Sequence, residues 1–419
     1  MTTSGTGATA KTSVAGSSAF KKAIVVAIGL AAGQVAAYLL SLTAARVLGP
    51  DAYGIFASML ALTLVGNVLA LGLQAAGARR IVLLPRKHRG GAGTSLLNAS
   101  LMTGLAVTIL TALISPLMAY LLHLPGPWAV LLVAANLYPA TVFGGLLGVG
   151  QGRESNTRFA VLCGVTGAGR PVFGIIAVVL TKSVYGALIG CLVGSLVALA
   201  ISWWLTRTLT ARPSVPLPRF RFDVLHAAHA LFALFVLTNL DVLLARHYLN
   251  ATQAGMYAAG AVVAKVTFWL PQFVAMATFT RLADHRRTRA LAMGAVAVVA
   301  IGSAATLFVA VFPDLVVKLI GGSAYLELVN EVWVFAAAGA AYALAQFLLY
   351  GQIAASKRSA IVVLWAAVVL LFILVALFHG SVLQIAVIVL CVALAVSMVG
   401  VIEMLIERRR ESQQVAYVS

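Results

Sequence analysis

Apolar runs of about 20 residues, the length a helix needs to cross a bilayer, recur along this whole chain. Charged residues make up only 10% of the 419 and hydrophobic residues 62%, so a water-soluble protein of this length would lack polar surface to cover its core. The runs are too long and too uniformly apolar for strands, and lipid requires every backbone polar group to be bonded internally. The sequence therefore predicts an all-α polytopic membrane protein.

Twelve transmembrane spans are predicted, six on each side of a basic, proline-containing segment. They cover 23–45, 55–78, 95–121, 127–149, 159–180, 184–206, 224–246, 254–278, 290–312, 328–351, 360–378 and 382–405. The predicted organisation is a disordered cytoplasmic tail (1–20), an N-terminal six-helix lobe (21–206), a cytoplasmic linker (207–223), a C-terminal six-helix lobe (224–406) and a cytoplasmic tail (407–419).

The distribution of Lys and Arg predicts the orientation in the membrane. With the N-terminus in the cytoplasm, the inner segments carry 23 of the 29 basic residues. The outer loops carry four: Arg46, Lys182, Arg246 and Lys318. Because basic residues are enriched in cytoplasmic loops, we expect an inner-membrane protein with both termini in the cytoplasm. The net charge of +18 is then explained by loops facing anionic lipid, and no nucleic-acid partner is expected.

The two halves of the chain repeat each other weakly at an offset near 201. The segment "AARVLGPDAYGIFAS" (44–58) aligns with "LARHYLNATQAGMYAA" (244–259), which places Arg46 over Arg246. Arg80 falls over Arg281. Six spans is an even number, so both halves begin on the same side and form parallel repeats about an axis along the membrane normal. Such an arrangement predicts a transporter that works by alternating access around a central, hydrated slot between the lobes.

Two motifs resemble those of a known family. The segments "ARVLGPDAYGIFASMLALTLVGNVLALGLQAAGARR" (45–80) and "NLDVLLARHYLNATQAGMYAAGAVVAKVTFWLP" (239–271) are similar to the Wzx-like oligosaccharide flippases, the polysaccharide biosynthesis proteins of the MOP exporter superfamily. The resemblance implies twelve helices in two MATE-like lobes. It also implies export of undecaprenyl-diphosphate-linked oligosaccharides for surface polysaccharide synthesis, with the polymerase machinery as an associated partner.

Two cations lie near the middle of predicted spans, where a charge usually faces a polar cavity or a partner. Arg170 precedes Pro171, which is expected to kink the fifth span. The guanidinium either binds a diphosphate or acidic sugar or makes a structural contact at the kink. Lys265 shares a helical stripe with Trp269 and Gln272, a set suited to a lipid-linked diphosphate sugar. Snorkelling is the alternative for Lys265, but its depth argues against it.

Two acids are candidates for ion coupling or gating. Asp241 lies in the outer third of the seventh span and has three readings: an acceptor for H⁺ or Na⁺, a counter-charge for Lys265, or an ion pair with Arg246 one turn outward. A direct contact with Lys265 would require a bent helix or a bridging water, because the two depths differ by about 9 Å in straight helices. Glu331 enters the tenth span from outside as cavity wall or as a solvated acid.

Neutral polar residues extend the candidate substrate-binding set. Gln34 lies on a polar face of the first span and Asn67 on one of the second. Hydrogen bonds between helices explain such residues equally well. No pattern of catalytic residues or metal ligands occurs, and the three cysteines are isolated, so we expect neither an enzyme nor a cofactor.

The main alternative is a MATE-type drug or cation antiporter. A cavity for cationic drugs should favour acids, whereas the deep charges here are two bases and one acid, which favours an anionic substrate. Lipid II flippases resemble a fourteen-span pattern, whereas twelve spans are predicted here. A membrane glycosyltransferase would need catalytic acids and usually a large outer loop, and the sequence shows neither.

Overall fold

The computed structural model describes residues 8–85, 87–153, 156–210, 213, 220–271, 287–354 and 359–418. The regular elements in these ranges are helical. They are α1 (Ala8–Gly66), α2 (Val68–Leu83), α3 (Arg89–Leu113), α4 (Ser115–Leu121), α5 (Trp128–Gly152), α6 (Asn156–Thr181), α7 (Val184–Thr206), α8 (Phe220–Leu237), α9 (Leu240–Tyr248), α10 (Ala251–Trp269), α11 (Arg287–Val311), α12 (Pro313–Ile320), a 3₁₀ helix (Gly322–Leu328), α13 (Val332–Ala354), α14 (Ser359–Leu377) and α15 (Val382–Val418).

The predicted all-α polytopic fold is confirmed. Within the described ranges, nine helical stretches are long and apolar enough to cross a membrane. The first, Ala31–Leu83, has 53 residues, which is enough for two crossings. Helix α10 and the shorter apolar stretch Ile361–Leu377 cover two further predicted spans. Each of the twelve predicted spans therefore overlaps a helix, although the eighth extends beyond the described residues.

The first two predicted spans are separated at Gly49, inside α1. Gly49 has φ 72° and ψ 173°, a backbone conformation that side chains with a Cβ rarely adopt. Pro50 follows and fixes its own φ for the new helical segment, where its missing N–H leaves no bond unmade. The "LGPD" sequence thus turns the chain without a loop.

The described chain divides into two compact units. The first comprises the described residues of Met1–Leu40, Gly66–Met118 and Gly126–His229. The second comprises those of Ser41–Val65, Ala119–Pro125 and Ala230–Ser419. The second unit therefore contains two segments from the first half of the sequence.

Small residues allow the helices of the first unit to pack closely. A Cβ added at Gly144 of α5 would overlap the backbone of Ala70 of α2. Helices α1 and α6 meet at Gly33 and Gly167, where a Cβ added at Gly33 would lie 3.0 Å from the Gly167 Cα. Van der Waals packing of this kind is a main source of helix association in lipid, where the apolar faces gain little from leaving the solvent.

Replacing Gly144 with alanine is expected to destabilise the protein by about 1–3 kcal/mol, because two backbones must move apart. Gly164→Ala on α6 is the matched control. It has open space around its Cβ, and replacing a helical glycine there should stabilise the protein by about 0.5–1 kcal/mol. Thermal unfolding of the purified variants in detergent measures both changes. Equal midpoints for the two variants would contradict the packing described here.

Candidate functional site

The seventh predicted span is broken in its second half, at Thr238 and Asn239, between α8 and α9. The Thr238 hydroxyl donates to the carbonyl oxygen of Leu234 at 2.9 Å. The Asn239 amide nitrogen donates to that of Phe235, also at 2.9 Å. These side chains bond to carbonyls in the last turn of α8, and the Leu234 carbonyl also accepts from the Thr238 N–H at 3.0 Å. Asn239 thereby keeps its amide oxygen free to accept a second hydrogen bond.

Lys265 of α10 supplies that hydrogen bond. Its Nζ lies 3.0 Å from Asn239 Oδ1. Asn239 is buried, and this hydrogen bond connects the break in the span to the neighbouring helix α10. The amide is neutral, so it solvates the ammonium without neutralising it.

Asp241 lies two residues after the break, in the first turn of α9. One carboxylate oxygen, Oδ2, accepts a 2.9 Å hydrogen bond from the hydroxyl of Tyr257 on α10. The other, Oδ1, is buried and has no hydrogen-bond partner among the described residues. A helix N-terminus favours a negative charge, which accounts in part for a buried carboxylate here.

Five residues of the second unit form what we term the polar cluster: Asn239, Asp241, Tyr257, Lys265 and Tyr342. Lys265 and Asp241 attract each other electrostatically. Tyr342 of α13 closes the cluster through a 3.4 Å hydrogen bond to the Leu237 carbonyl at the end of α8. The cluster therefore joins an acid, a base and three uncharged polar groups within membrane spans.

The structure decides between two interpretations of Asp241. The ion pair with Arg246 is wrong, because the Arg246 guanidinium donates instead to the carbonyl oxygens of Leu122 and His123, at 3.0 and 3.3 Å. Asp241 and Lys265 share the polar cluster, as the counter-charge interpretation requires. The break in the span lies two residues before Asp241, and Lys265 donates to Asn239 within that break.

Arg170 lies in the first unit, in the interior of α6. The helix continues through Pro171. The side chain is partly buried and makes no hydrogen bond or ion pair with any residue that the structure describes. Gln34 is also partly buried and follows Gly33, at the contact of α1 with α6. Arg170 is three residues from Gly167, so the predicted residues Gln34 and Arg170 flank the same helix contact.

Asn67 occupies the break between α1 and α2. Its backbone carbonyl accepts from the N–H groups of Ala70 and Leu71, at 3.0 and 3.3 Å. Its side-chain Oδ1 is buried without a hydrogen-bond partner among the described residues. A buried, unsatisfied amide oxygen is costly unless a ligand or water reaches it. Asn67 is therefore a candidate acceptor for a hydroxyl group.

Three predicted site residues are not part of the polar cluster. Trp269 ends α10 with 41% of its surface exposed. Gln272 lies outside the described residues. Glu331 precedes α13, where its N–H donates to the Leu328 carbonyl at 3.0 Å. Partial burial raises the pKa of the Glu331 carboxyl above its usual range.

Sequence reasoning did not identify Asn239 and Tyr257 as site residues, although both hold the charged members of the cluster. Asn239 carried a signal, since asparagine is a poor helix former and follows a threonine inside an apolar span. Tyr257 carried none, because its role depends on α9 and α10 lying side by side. Among the described residues, no three His, Cys, Asp or Glu side chains are placed to hold a metal ion.

Comparison with known proteins identifies the family. A family model described as "Polysaccharide biosynthesis protein" matches residues 19–282, well over half of the chain. No curated protein sequence is significantly similar.

Solved structures share the fold at low sequence identity. The lipid II flippase MurJ in an inward closed conformation has a TM-score of 0.72 and 10% identity, covering 93% of this chain and 87% of that one. An inward-facing MATE family multidrug resistance transporter has a TM-score of 0.69 and 14% identity, covering 89% and 95%. A MOP superfamily transporter from Pyrococcus furiosus, with a binding pocket of reverse polarity, has a TM-score of 0.55 and 14% identity, covering 92% and 95%.

These solved structures are transporters and a flippase of one superfamily, and their fold is the one predicted from the sequence. The match over residues 19–282 shows that this chain belongs to the polysaccharide biosynthesis protein family.

Proposed function

We propose that this protein is a flippase that moves an undecaprenyl-diphosphate-linked oligosaccharide across the cytoplasmic membrane by alternating access. The observation that carries the proposal is Arg170, a guanidinium inside an apolar helix with no hydrogen bond or ion pair to a described residue. A charge at such a depth costs about 2.5–3.5 kcal/mol on insertion scales. A diphosphate or an acidic sugar offers the planar oxygen pair that a guanidinium binds best.

The polar cluster supports the same substrate class. Lys265 places a buried ammonium in the cluster, and an ammonium suits an anionic ligand. Asn67 adds an unsatisfied acceptor that suits a sugar hydroxyl. Gln34, Trp269 and Gln272 complete the proposed binding set, with the indole available to pack against a sugar ring.

We further propose that transport is coupled to H⁺ or Na⁺ through Asp241. The carboxylate has one bonded oxygen and one buried oxygen without a partner. A proton or a sodium ion on that oxygen would neutralise the acid and release Lys265 from its attraction. Loading of the ion and loading of an anionic substrate would then be linked through one pair of charges. Glu331 is the second candidate for coupling or gating, and neither role requires catalysis or a cofactor.

A drug or cation antiporter of the MATE type is the second candidate function, and the buried carboxylate of Asp241 is the observation that favours it. Lys265 in the same cluster opposes it, because an ammonium repels a cationic drug.

Complementation tests the proposal. In a cell that lacks its own flippase, the chain is expected to restore surface glycan, detected by staining with a glycan-specific lectin. It should leave resistance to cationic drugs unchanged. Restored drug efflux without surface glycan would establish the antiporter instead. In the same cells, co-purification of the chain with the polysaccharide polymerase would test the proposed partner. Accessibility of tags placed at each end would test whether the termini are cytoplasmic, as predicted.

A further inference from the structure

The second unit contains two arginines that bind the ends of short helices from the opposite half of the sequence. Arg46 donates to the carbonyl oxygens of Lys318 and Leu319, at 3.3 and 2.6 Å, in the last turn of α12. Arg246 donates to those of Leu122 and His123, immediately after α4. Cations are favoured at helix C-termini, where carbonyl groups lack intrahelical partners.

These two contacts are related by the sequence repeat. Arg46 and Arg246 align at the offset near 201; Arg46 follows the first predicted span and Arg246 ends the seventh. Helix α4 forms the end of the third predicted span, and α12 follows the ninth. Each half therefore supplies an arginine to the short helix of the other half. The exchange explains why Ser41–Val65 and Ala119–Pro125 belong to the same compact unit as the second half.

Further contacts fasten the same end of the unit. The Thr252 hydroxyl donates to Asp51 Oδ1 at 2.6 Å, and these two residues also correspond in the repeat. The Tyr325 hydroxyl donates to the Ala45 carbonyl at 3.2 Å. Gly255 lies so close to Pro50 that an added Cβ would overlap the Pro50 carbonyl oxygen.

We propose that Arg46, Asp51, Arg246, Thr252 and Tyr325 form a reversible latch that closes the protein on the side opposite the basic loops. The inference rests on the proposed function, since only a transporter needs to open and close that side. Most acceptors in the latch are backbone carbonyls, which do not change their protonation state. Opening must therefore break these hydrogen bonds without help from a change of pH. Arg246 is buried and Arg46 is exposed, so Arg246 contributes more to closure.

Thiol accessibility in a cysteine-free background tests the latch without any glycan substrate. Ser58→Cys is the reporter, because Ser58 is fully buried and lies one helical turn beyond Gly54 on the same face. The background replaces Cys163, Cys191 and Cys391 with alanine. Asp51→Cys and Thr252→Cys are first joined by a short, reducible bis-methanethiosulfonate. A membrane-impermeant maleimide, added to right-side-out vesicles, should then label the reporter only after the bridge is reduced. Because reduction also frees the thiols at 51 and 252, tandem mass spectrometry is used to count only the label on residue 58.

Substitution of the arginines gives an independent measure. Arg246→Gln is expected to raise the rate of outside labelling about tenfold or more, and Arg46→Gln by less, because a charged donor to a buried carbonyl is the stronger interaction. Lys182→Gln, a basic residue exposed on the same predicted side, is the matched control and should change nothing.

Each outcome separates the latch from the transported substrate. If the rate of reporter labelling is changed neither by the bridge nor by Arg246→Gln, the latch is overturned, even if glycan export is normal. Labelling that follows the bridge, in a protein that fails to restore glycan, supports the latch and rejects the proposed substrate. Since the bridge is compared in one sample before and after reduction, misfolding of a variant cannot mimic the result.

Discussion

Replacing Lys265 with methionine is expected to lower glycan export about hundredfold, with the amount of protein in the membrane unchanged. Methionine preserves the apolar stem but removes the ammonium that donates to Asn239. Truncating one partner of a buried charged bond costs about 2–5 kcal/mol, and about 2.8 kcal/mol corresponds to a hundredfold change. The measurement is the rate at which surface glycan appears in the complemented strain.

Two variants separate charge from structure in this experiment. Lys265→Arg keeps a cation at the site and should retain more export than Lys265→Met. Lys182→Met makes the same chemical change at an exposed lysine and should export normally. Arg170→Met is expected to reduce export by a similar factor, because it removes the other proposed cationic binding residue. The fold should be unaffected, since the side chain has no described partner whose loss would destabilise it. Normal export by both Lys265→Met and Arg170→Met would contradict the proposed cationic binding residues.

Asp241→Asn is expected to uncouple export from the ion gradient. Asparagine retains an oxygen that accepts from Tyr257, but it carries no charge and cannot release a proton. One elementary charge moving through about 100 mV is worth about 2.3 kcal/mol, equivalent to a concentration ratio of about fifty. Substrate accumulation driven by an imposed gradient should therefore fall by up to about that factor, whereas exchange without a gradient should continue.

Vesicles that contain the purified protein and a fluorescent lipid-linked sugar provide the measurement, with H⁺ and Na⁺ gradients imposed separately. Tyr257→Phe is the companion variant, because it keeps the charge of Asp241 and removes only the hydrogen bond. A coupling role requires that Tyr257→Phe still respond to the gradient while Asp241→Asn does not. If both variants respond fully and differ from the natural protein only in thermal stability, Asp241 is a structural residue.

The helical segments were predictable because they arise from local properties. Lipid leaves a backbone no alternative to internal hydrogen bonds, so each long apolar run had to be a helix. The turn at Gly49 was signalled by glycine and proline together. The breaks at Asn67 and Asn239 were not predicted, since hydropathy averages over a whole span and a single asparagine hardly changes that average.

For the candidate site too, the local properties were predictable and the long-range contacts were not. Composition and depth alone identified Arg170, Lys265 and Asp241 as charges that need a polar environment. They could not identify partners, and the ion pair between Asp241 and Arg246, one of three interpretations that the sequence left open, is wrong. Arg246 binds carbonyls more than 120 residues away, and Asp241 is held by a tyrosine from the next helix.

By itself, the sequence determined that this chain is helical, membrane-spanning and duplicated, and where its buried charges fall along each span. Only the tertiary structure decided which groups those charges touch and that an arginine of each half binds a short helix of the other half. The physical reason is the distance over which each interaction acts. Hydrophobicity and backbone bonding act within a segment, whereas a hydrogen bond acts over about 3 Å and depends on which helices the fold brings together.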